Sequence, residues 1–193
     1  MPKGFFPMIS RMRYINRWGL MRNSYPENIQ EHSHMVAVLA HGLAVIENNL
    51  FQGEYDLGQV ALVALYHDAS EIFTGDLPTP IKYDNPEIQK AYQSIETIAE
   101  EKLCNLLPPS LQESFRPVLS NQDEKIHAIV KAADKLSAYI KCVEEVKAGN
   151  SEFLSAQKQT RAALEENPLP SLDYFIQNLL PEFHLTLDQL QEE

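Results

Sequence analysis

Four ionisable side chains fall on faces of the chain that are otherwise apolar: His32, His67, Asp68 and Asp134. Charged groups are costly to bury unless they are paired or bind a metal. Two imidazoles and two carboxylates suit a borderline divalent cation such as Mn, Co, Fe, Ni or Zn better than Ca or Mg. Two carboxylates would also cancel the charge of one such ion. Taken singly, a buried His or Asp is more often a hydrogen-bonded core residue, so that alternative stays open.

Two further acids and one arginine could act beside such an ion. Glu71 lies one helical turn beyond His67, and Asp76 follows Gly75 at the start of a proline-containing turn. A carboxylate beside a metal-bound water can take or return a proton, and Arg17 could hold a phosphoryl oxygen by paired hydrogen bonds. This set favours phosphoester hydrolysis. Glu71 and Asp76 also have an ordinary interpretation, as a helix acid and a turn residue.

The stretch 56–80, DLGQVALVALYHDASEIFTGDLPTP, would position the central part of this set. Asp56 begins a capping-box sequence, and the residues after it are apolar on every side, which predicts a helix in the middle of a bundle. We predict that this helix continues through His67 and Asp68, where neither residue has a capping role, and ends at Gly75. Neighbouring helical residues diverge by about 100°, so both can ligate one ion only in a notch between helices.

The remaining elements predict a helical bundle around that segment. One helix is predicted at about 28–48 and carries His32, and a long helix is predicted at about 121–149 and carries Asp134. Shorter helices are predicted near the N terminus, from Asn85 and in the tail. The sequence contains no alternating strand pattern, internal repeat or glycine-rich phosphate loop. The predicted fold class is therefore all-α, with about seven or eight helices.

Length and charge indicate a single globular domain. We divide the 193 residues into a basic N-terminal arm at 1–27, a metal-binding core at 28–148 and C-terminal helices at 149–193. The net charge of −11 argues against a nucleic-acid coat protein. Residues 1–26 carry five cations and no acid, and they would attract an anionic substrate unless they form an ordinary solvated surface. Two cysteines in helical patterns favour a reducing, cytoplasmic compartment, and no segment is long enough to span a bilayer.

The order His, His-Asp and distant Asp resembles that of the HD-domain metal-dependent phosphohydrolases. Four longer stretches, INRWGLMRN, ENIQEHSHMVA, YHDASEIFTGDLPTP and KAADKLSAYIKC, more closely resemble the bacterial 5'-deoxynucleotidases of the YfbR type. The similarity runs from about residue 5 to residue 190. A bare His-Asp pair would be weak evidence, but the motifs are specific in combination.

The resemblance implies a single-domain HD-type helical bundle that acts as a cytoplasmic homodimer and dephosphorylates deoxyribonucleoside 5'-monophosphates. It implies one divalent transition metal, Co, Mn or a similar ion, with four ligands: His32, His67, Asp68 and Asp134. Arg17 would orient the phosphate, Glu71 would assist the attacking water, and Trp18 would be an apolar wall that disfavours a 2'-hydroxyl. The residues implied to contact the nucleotide are Arg17, Trp18, His32, Asp68, Asp76, Leu77, Pro78, Thr79 and Asp134.

Other interpretations of the same residues stay open. Another HD phosphohydrolase reaction, on a cyclic nucleotide or a nucleoside triphosphate, would use the same chemistry. A two-metal enzyme would need additional inward histidines, and only His127 lies between His67 and Asp134, which favours a single ion. A non-catalytic nucleotide-binding module would hold only a structural metal, and Glu71 and Arg17 argue against it because such a site needs neither an acid-base group nor a phosphate clamp.

Overall fold

The computed structural model describes residues 4–82 and 85–191, with the side chains of Thr79 and Pro80 left out. Within these residues the regular secondary structure is helical, and the only strand-like feature is an isolated antiparallel bridge between Asn16 and Asn28. The predicted all-α class is confirmed.

The described helices follow one another along the chain with short connections. They are α1 (Phe5–Ile9), α2 (Ile29–Leu50), α3 (Leu57–Tyr66), α4 (Glu71–Thr74), α5 (Thr79–Lys82), α6 (Pro86–Asn105), α7 (Pro109–Leu119), α8 (Glu124–Lys147), α9 (Leu154–Glu165), α10 (Pro170–Asn178) and α11 (Leu187–Gln191), with 3-10 turns at Ser10–Tyr14, Ser151–Phe153 and Leu180–His184. Of these described helices, seven span nine or more residues, which agrees with the predicted seven or eight.

The core is built on the two longest helices, α2 and α8, which pack against each other, while α3 packs mainly on α2. Side-chain caps begin both long helices: Asn28, the predicted start of α2, accepts from Gln30 N and Glu31 N, and Asp123, two residues after the predicted start of α8, accepts from Lys125 N. The apolar stripe of α8 is buried throughout: Ile126, Val130, Ala133, Leu136, Ile140 and Val143. Contact between these two helices fixes where their polar residues meet. None of the described helices is both long and apolar enough to cross a lipid bilayer.

Helix α3 is less enclosed than its composition predicted. Leu62 and Leu65 are 46% and 39% exposed, so α3 presents one apolar side to the surface and is not surrounded by protein. Asp56 caps the helix by accepting from Gln59 N at 3.0 Å. The side chain of Gln59 does not return to the cap, because its Nε2 instead donates to Pro117 O at 3.4 Å. The capping box is therefore only half formed.

The predicted continuous helix through residue 75 is wrong, because α3 ends at Tyr66. His67 is the C-cap residue, and its Nδ1 donates to Ala64 O at 2.7 Å. That carbonyl belongs to the last helical turn and also accepts from His67 N at 3.4 Å, so the ring adds a second hydrogen bond there and His67 does have a capping role. A turn at 67–70 with i→i−3 backbone bonds leads into α4. Gly75, at φ 71°, then ends α4 at the predicted position.

Candidate active site

Three of the four predicted metal ligands place donor atoms in one small volume. Donor atoms of His32, His67 and Asp68 all lie within 4.8 Å of one another. Asp68 Oδ2 is 3.5 Å from His32 Nε2 and 3.1 Å from His67 Nε2. Asp134 adjoins this group, with Oδ1 2.9 Å from His32 Nε2, and its side chain is 39% exposed. Helix α2, the turn after α3 and helix α8 thus bring together the four residues selected from the sequence.

The orientation of His67 fits a metal ligand. Because Nδ1 donates to Ala64 O, a neutral ring carries its lone pair on Nε2. That Nε2 is buried and has no hydrogen-bond partner in the described part of the chain, although Asp68 Oδ2 is 3.1 Å away. Two acceptor atoms that face each other repel unless a cation lies between them or the ring is protonated. The His and Asp donor set is the one that divalent transition metals prefer.

His32 is arranged in the same way. It is fully buried, and Ser137 Oγ lies 3.2 Å from its Nδ1. When Ser137 accepts this hydrogen bond, His32 Nε2 is left as a ligand atom that faces the two carboxylates. Ser137 was missed by the sequence analysis, although it lies three residues after Asp134 and so shares a face of α8 with it. Residues three or four positions from a predicted ligand are the signal that could have found it.

The charges of the cluster stabilise one another. Burial alone would raise the pKa of Asp68, but the neighbouring imidazoles, His67 foremost, and the Arg17 guanidinium hold this pKa well below its usual range. Burial alone would lower the pKa of His67, but the Asp68 carboxylate outweighs burial and raises it. Desolvation within the cluster would raise the pKa of Asp134, but its hydrogen bond with His32 outweighs this effect and lowers it. Both Asp side chains are therefore ionised at neutral pH, as metal ligands must be.

Glu71 is a buried acid that lacks a full set of partners. Its side chain lies on α4, the residue is only 5% exposed, and its Oε2 has no hydrogen-bond partner among the described residues. Burial, together with the negative charges of Asp68 and Asp76, raises the pKa of Glu71 to about 10. An unpaired buried carboxyl is costly, and such groups with perturbed pKa values concentrate at catalytic sites. Glu71 is therefore suited to exchange a proton with a reacting molecule.

Arg17 reaches the cluster from a separate part of the chain, which we call the N-terminal loop (residues 17–26). Its Nη1 lies 3.5 Å from Asp68 Oδ2, and its Nε donates to Glu27 Oε2 at 3.1 Å. The Arg17 side chain is 13% exposed. The guanidinium is thus held between a carboxylate of the cluster and one outside it, at a place where a planar cation could bind an anionic group.

Trp18 follows Arg17 and is fixed in an uncommon conformation. Its φ of 58° is in the left-handed region, which residues other than glycine seldom adopt. The indole packs against Phe153 with ring centroids 5.2 Å apart, and Nε1 donates to Glu27 Oε2 at 3.1 Å. Glu27 therefore contacts two of the residues that were expected to bind substrate, Arg17 and Trp18. The sequence analysis missed it, although Glu27 is the first acid in the chain and follows a segment with five cations.

The loop after Gly75 lies beside the cluster. Asp76, Leu77 and Pro78 are half-buried. Burial raises the pKa of Asp76, and the charges of Arg17 and Asp68 act on it in opposite directions, which places Asp76 within electrostatic reach of both. The side chain of Thr79, also expected to contact nucleotide, lies outside the described part of the chain. The predicted roles of this loop remain predictions.

A buried ion pair anchors the N-terminal loop to α8. Glu145 is fully buried and accepts from Ser24 N at 2.8 Å and from Tyr25 N at 3.0 Å. Lys141 pairs with Glu145 at 2.5 Å and also donates to Tyr25 O. Asn150 Nδ2 completes the set by donating to Glu145 Oε2 at 2.8 Å. This network holds the far side of the loop independently of the side chains that face the cluster.

We predict that Glu145→Gln destabilises the protein by about 3 kcal/mol, because Lys141 would keep a buried charge without its partner. Burial would raise the pKa of Glu145, but Lys141 and the other donors lower it below its unfolded value of about 4.3. This stabilisation is therefore complete above that pH and lost as pH falls through the lower folded-state pKa. Urea unfolding at a series of acidic pH values should show a steeper loss in the native protein than in the variant. The adjacent exposed residue offers the control Glu144→Gln, and an equal slope in Glu145→Gln would contradict this assignment.

Comparison with known proteins gives full-length matches. Residues 4–183 match a family model described as 5'-deoxynucleotidase YfbR-like. A 5'-deoxynucleotidase from Cronobacter sakazakii is 49% identical over 193 residues, which cover 98% of this chain and 96% of that protein. Another 5'-deoxynucleotidase, from Vibrio vulnificus, is 50% identical over 188 residues, which cover 96% of this chain and 97% of that protein.

Solved structures of lower identity share the fold. An HD-domain phosphohydrolase from Listeria innocua superposes with a TM-score of 0.78 at 23% identity, over 93% of this chain and 87% of that one. The HD phosphohydrolase of cyanophage S-2L, solved with dA and one catalytic Zn²⁺, superposes with a TM-score of 0.65 at 22% identity, over 94% and 97% of the two chains. The helical architecture is therefore that of HD-domain phosphohydrolases.

Proposed function

This chain belongs to the YfbR-like family of 5'-deoxynucleotidases, and from that membership we propose that it hydrolyses deoxyribonucleoside 5'-monophosphates to a deoxyribonucleoside and phosphate. It is a phosphoric monoester hydrolase. The observation that best supports this reaction is the position of Asp68, which faces both imidazoles and the Arg17 guanidinium. A candidate metal cluster and a candidate phosphate-binding cation therefore adjoin at one carboxylate.

We propose that the cluster holds one divalent transition metal, with Co and Mn as first candidates. Its ligands would be His32, His67, Asp68 and Asp134. When bound, such an ion lowers the pKa of a water ligand and offsets the charge of the phosphoryl group. The lone pair of His67 Nε2 and the closeness of Asp68 and Asp134 oxygens to the two imidazoles support this assignment.

Side chains of the protein would then bind the phosphate and transfer the proton. Arg17 would bind two phosphoryl oxygens through its planar guanidinium. Glu71 would accept a proton from the attacking water as the new P–O bond forms. It would return that proton to the 5'-oxygen of the sugar as the old P–O bond breaks, so the leaving group departs as a neutral alcohol. To accept the proton from water, Glu71 must be ionised. A positive charge at the cluster favours this ionised form.

We propose that Trp18 sets the preference for deoxyribose, and we predict that Trp18→Ala lowers the preference for dAMP over AMP by about tenfold. An indole beside the sugar would bury a 2'-hydroxyl without a hydrogen-bond partner, and removing the indole would remove this penalty. The measurement is kcat/KM for both nucleotides, with Trp18→Phe as a control that keeps an apolar ring. An unchanged ratio in Trp18→Ala would place sugar selection elsewhere, such as at the loop with Asp76.

The remaining contacts of the nucleotide would come from the segment after Gly75, with Asp76, Leu77, Pro78 and Thr79 lining the nucleoside side. We further propose a homodimer, which exposed apolar side chains on α3 and near the C terminus support. Two free, buried cysteines support a reducing compartment, and we propose the cytoplasm.

The function is tested by phosphate release from dAMP, AMP and 3'-dAMP with metal-stripped protein, with and without added Co or Mn. We expect metal-dependent release from dAMP, with little from AMP or 3'-dAMP. Conversion only of cyclic nucleotides to monophosphates, or hydrolysis only of nucleoside triphosphates, each followed by chromatography of the nucleotide products, would replace this function with another phosphohydrolase reaction. Binding of nucleotide without hydrolysis of any of these compounds would indicate a non-catalytic module.

A further inference from the structure

We propose that Glu27 is a positioning residue that holds the phosphate-binding Arg17 and the sugar-facing Trp18 in one fixed arrangement, and so links phosphate binding to sugar selection. This inference rests on the proposed function, because that function supplies the roles of Arg17 and Trp18.

One carboxylate oxygen makes both contacts. Glu27 Oε2 accepts from Arg17 Nε at 3.1 Å and from Trp18 Nε1 at 3.1 Å. The Glu27 side chain is only 16% exposed, so water competes weakly for this oxygen. The donors are planar groups, and a hydrogen bond at one edge fixes the direction of each plane. Moving Glu27 would therefore move the guanidinium and the indole together.

The backbone ties Glu27 to the metal cluster as well. Arg17 N donates to Glu27 O at 2.9 Å, and Ile29 N donates to Ile15 O at 3.0 Å, which closes the N-terminal loop at its base. Helix α2 begins directly after its cap, and its first turns carry His32. Glu27 thus stands at the junction between the loop that presents Arg17 and the helix that presents a candidate metal ligand.

The conformation of Trp18 shows why such a contact is needed. A non-glycine residue at φ 58° is held there only when surrounding contacts outweigh the strain. The contacts of the Trp18 side chain include Phe153 on one side and Glu27 at the indole nitrogen. Loss of the Glu27 carboxylate would leave the indole with less restraint against rotation or relaxation of its backbone.

Glu27 is not required to attach the loop to the protein. The far side of the loop is already bound by the buried pair of Lys141 and Glu145, and by Asn150 Nδ2, which donates to Arg22 O at 2.7 Å. A purely structural role for Glu27 would duplicate this anchor. The contacts of its side chain instead go to Arg17 and Trp18, the two loop residues that we propose bind the substrate.

The kinetic test compares Glu27→Ala, Glu27→Gln and a matched control, Glu31→Gln, which removes the same charge from an exposed position on the first turn of α2. With the metal-loaded enzyme, we expect Glu27→Ala to raise KM for dAMP and to lower the dAMP over AMP ratio of kcat/KM, each by about tenfold. Metal content should stay full. Glu27→Gln should recover part of both effects because its amide oxygen still accepts hydrogen bonds, and Glu31→Gln should match the native enzyme.

A second readout needs no substrate. Trp18 is the only tryptophan in the chain, so intrinsic tryptophan fluorescence reports on its indole alone. We expect Glu27→Ala to shift the emission to longer wavelength and to increase quenching by acrylamide, with Glu31→Gln unchanged. In a Trp18→Ala background, adding Glu27→Ala should leave the dAMP over AMP ratio unaltered while KM for dAMP still rises, because only the effect through Arg17 remains.

The outcomes separate the two proposals. A native enzyme that releases no phosphate from dAMP overturns the proposed function, while the fluorescence of the Glu27 variants still tests the positioning role. A native enzyme that is active, with an unchanged KM, nucleotide ratio and emission in Glu27→Ala, overturns the positioning role alone. Equal losses of kcat with dAMP and AMP and unchanged fluorescence would also overturn it, since they indicate a general structural defect. If Glu27→Ala does not fold, the same criteria apply to Glu27→Gln.

Discussion

Asp68→Ala is expected to remove both the bound metal and the hydrolysis of dAMP. Oδ2 of Asp68 is the common neighbour of His32 Nε2, His67 Nε2 and Arg17 Nη1. Its loss would leave these groups facing one another without the negative charge that balances them, and the ion would lose one of four ligands. We expect kcat/KM for dAMP to fall by about a thousandfold or more, equivalent to roughly 4 kcal/mol of transition-state stabilisation.

Elemental analysis and dAMP kinetics on the same preparation would test this expectation. Asp173→Ala, at an exposed position of α10, is the control for loss of one Asp. Full metal content in Asp68→Ala would contradict the ligand assignment, whatever the activity. Addition of excess Co or Mn would show whether occupancy is weakened or abolished.

Glu71→Gln is expected to keep the metal and lose turnover. The amide has nearly the shape of the acid but cannot accept and return a proton, so kcat should fall by about 10²–10⁴-fold. Glu71 is not one of the four proposed ligands, and metal content should therefore be preserved. The raised pKa of Glu71 means that a neutral side chain already suits this buried position, so the fold should tolerate the amide.

The measurements are kcat for dAMP, metal content and thermal unfolding, with the exposed Glu87→Gln on α6 as a control. Retained turnover in Glu71→Gln would transfer the acid-base role to Asp76, the other acid near the cluster. If the variant loses metal together with activity, Glu71 would instead contribute to metal binding.

The sequence predicted well the elements that local signals define. Helices α2 and α8 have side-chain caps at Asn28 and Asp123 and regular apolar stripes, so both local hydrogen bonding and burial favour them. The end of α3 could not be predicted in this way, because the residues after Tyr66 are compatible with a continued helix. The helix ends where the His67 side chain donates a hydrogen bond to Ala64 O, and sequence periodicity does not report this contact.

The residues of the candidate site likewise fall into those that the sequence could predict and those that it could not. His32, Asp68 and Asp134 could be selected because a charged residue in an apolar pattern is conspicuous. Glu27 and Glu145 could not, since each owes its importance to contacts made by the N-terminal loop, whose shape depends on one residue in a left-handed conformation. Ser24 and Glu145 are 121 positions apart in the chain, and no local signal pairs residues at such a separation.

The backbone of Trp18 places this position under opposing selective pressures. Glycine would adopt its left-handed φ freely, whereas the indole-bearing residue holds that conformation at a cost of about 1–2 kcal/mol. Selection for thermal stability alone would retain the side chain only while its contacts with Phe153 and Glu27 outweigh this cost, whereas selection for sugar discrimination would favour its retention in either case. Among variants selected only for resistance to heat, we expect position 18 to be the place where substitutions can lower sugar discrimination without lowering stability.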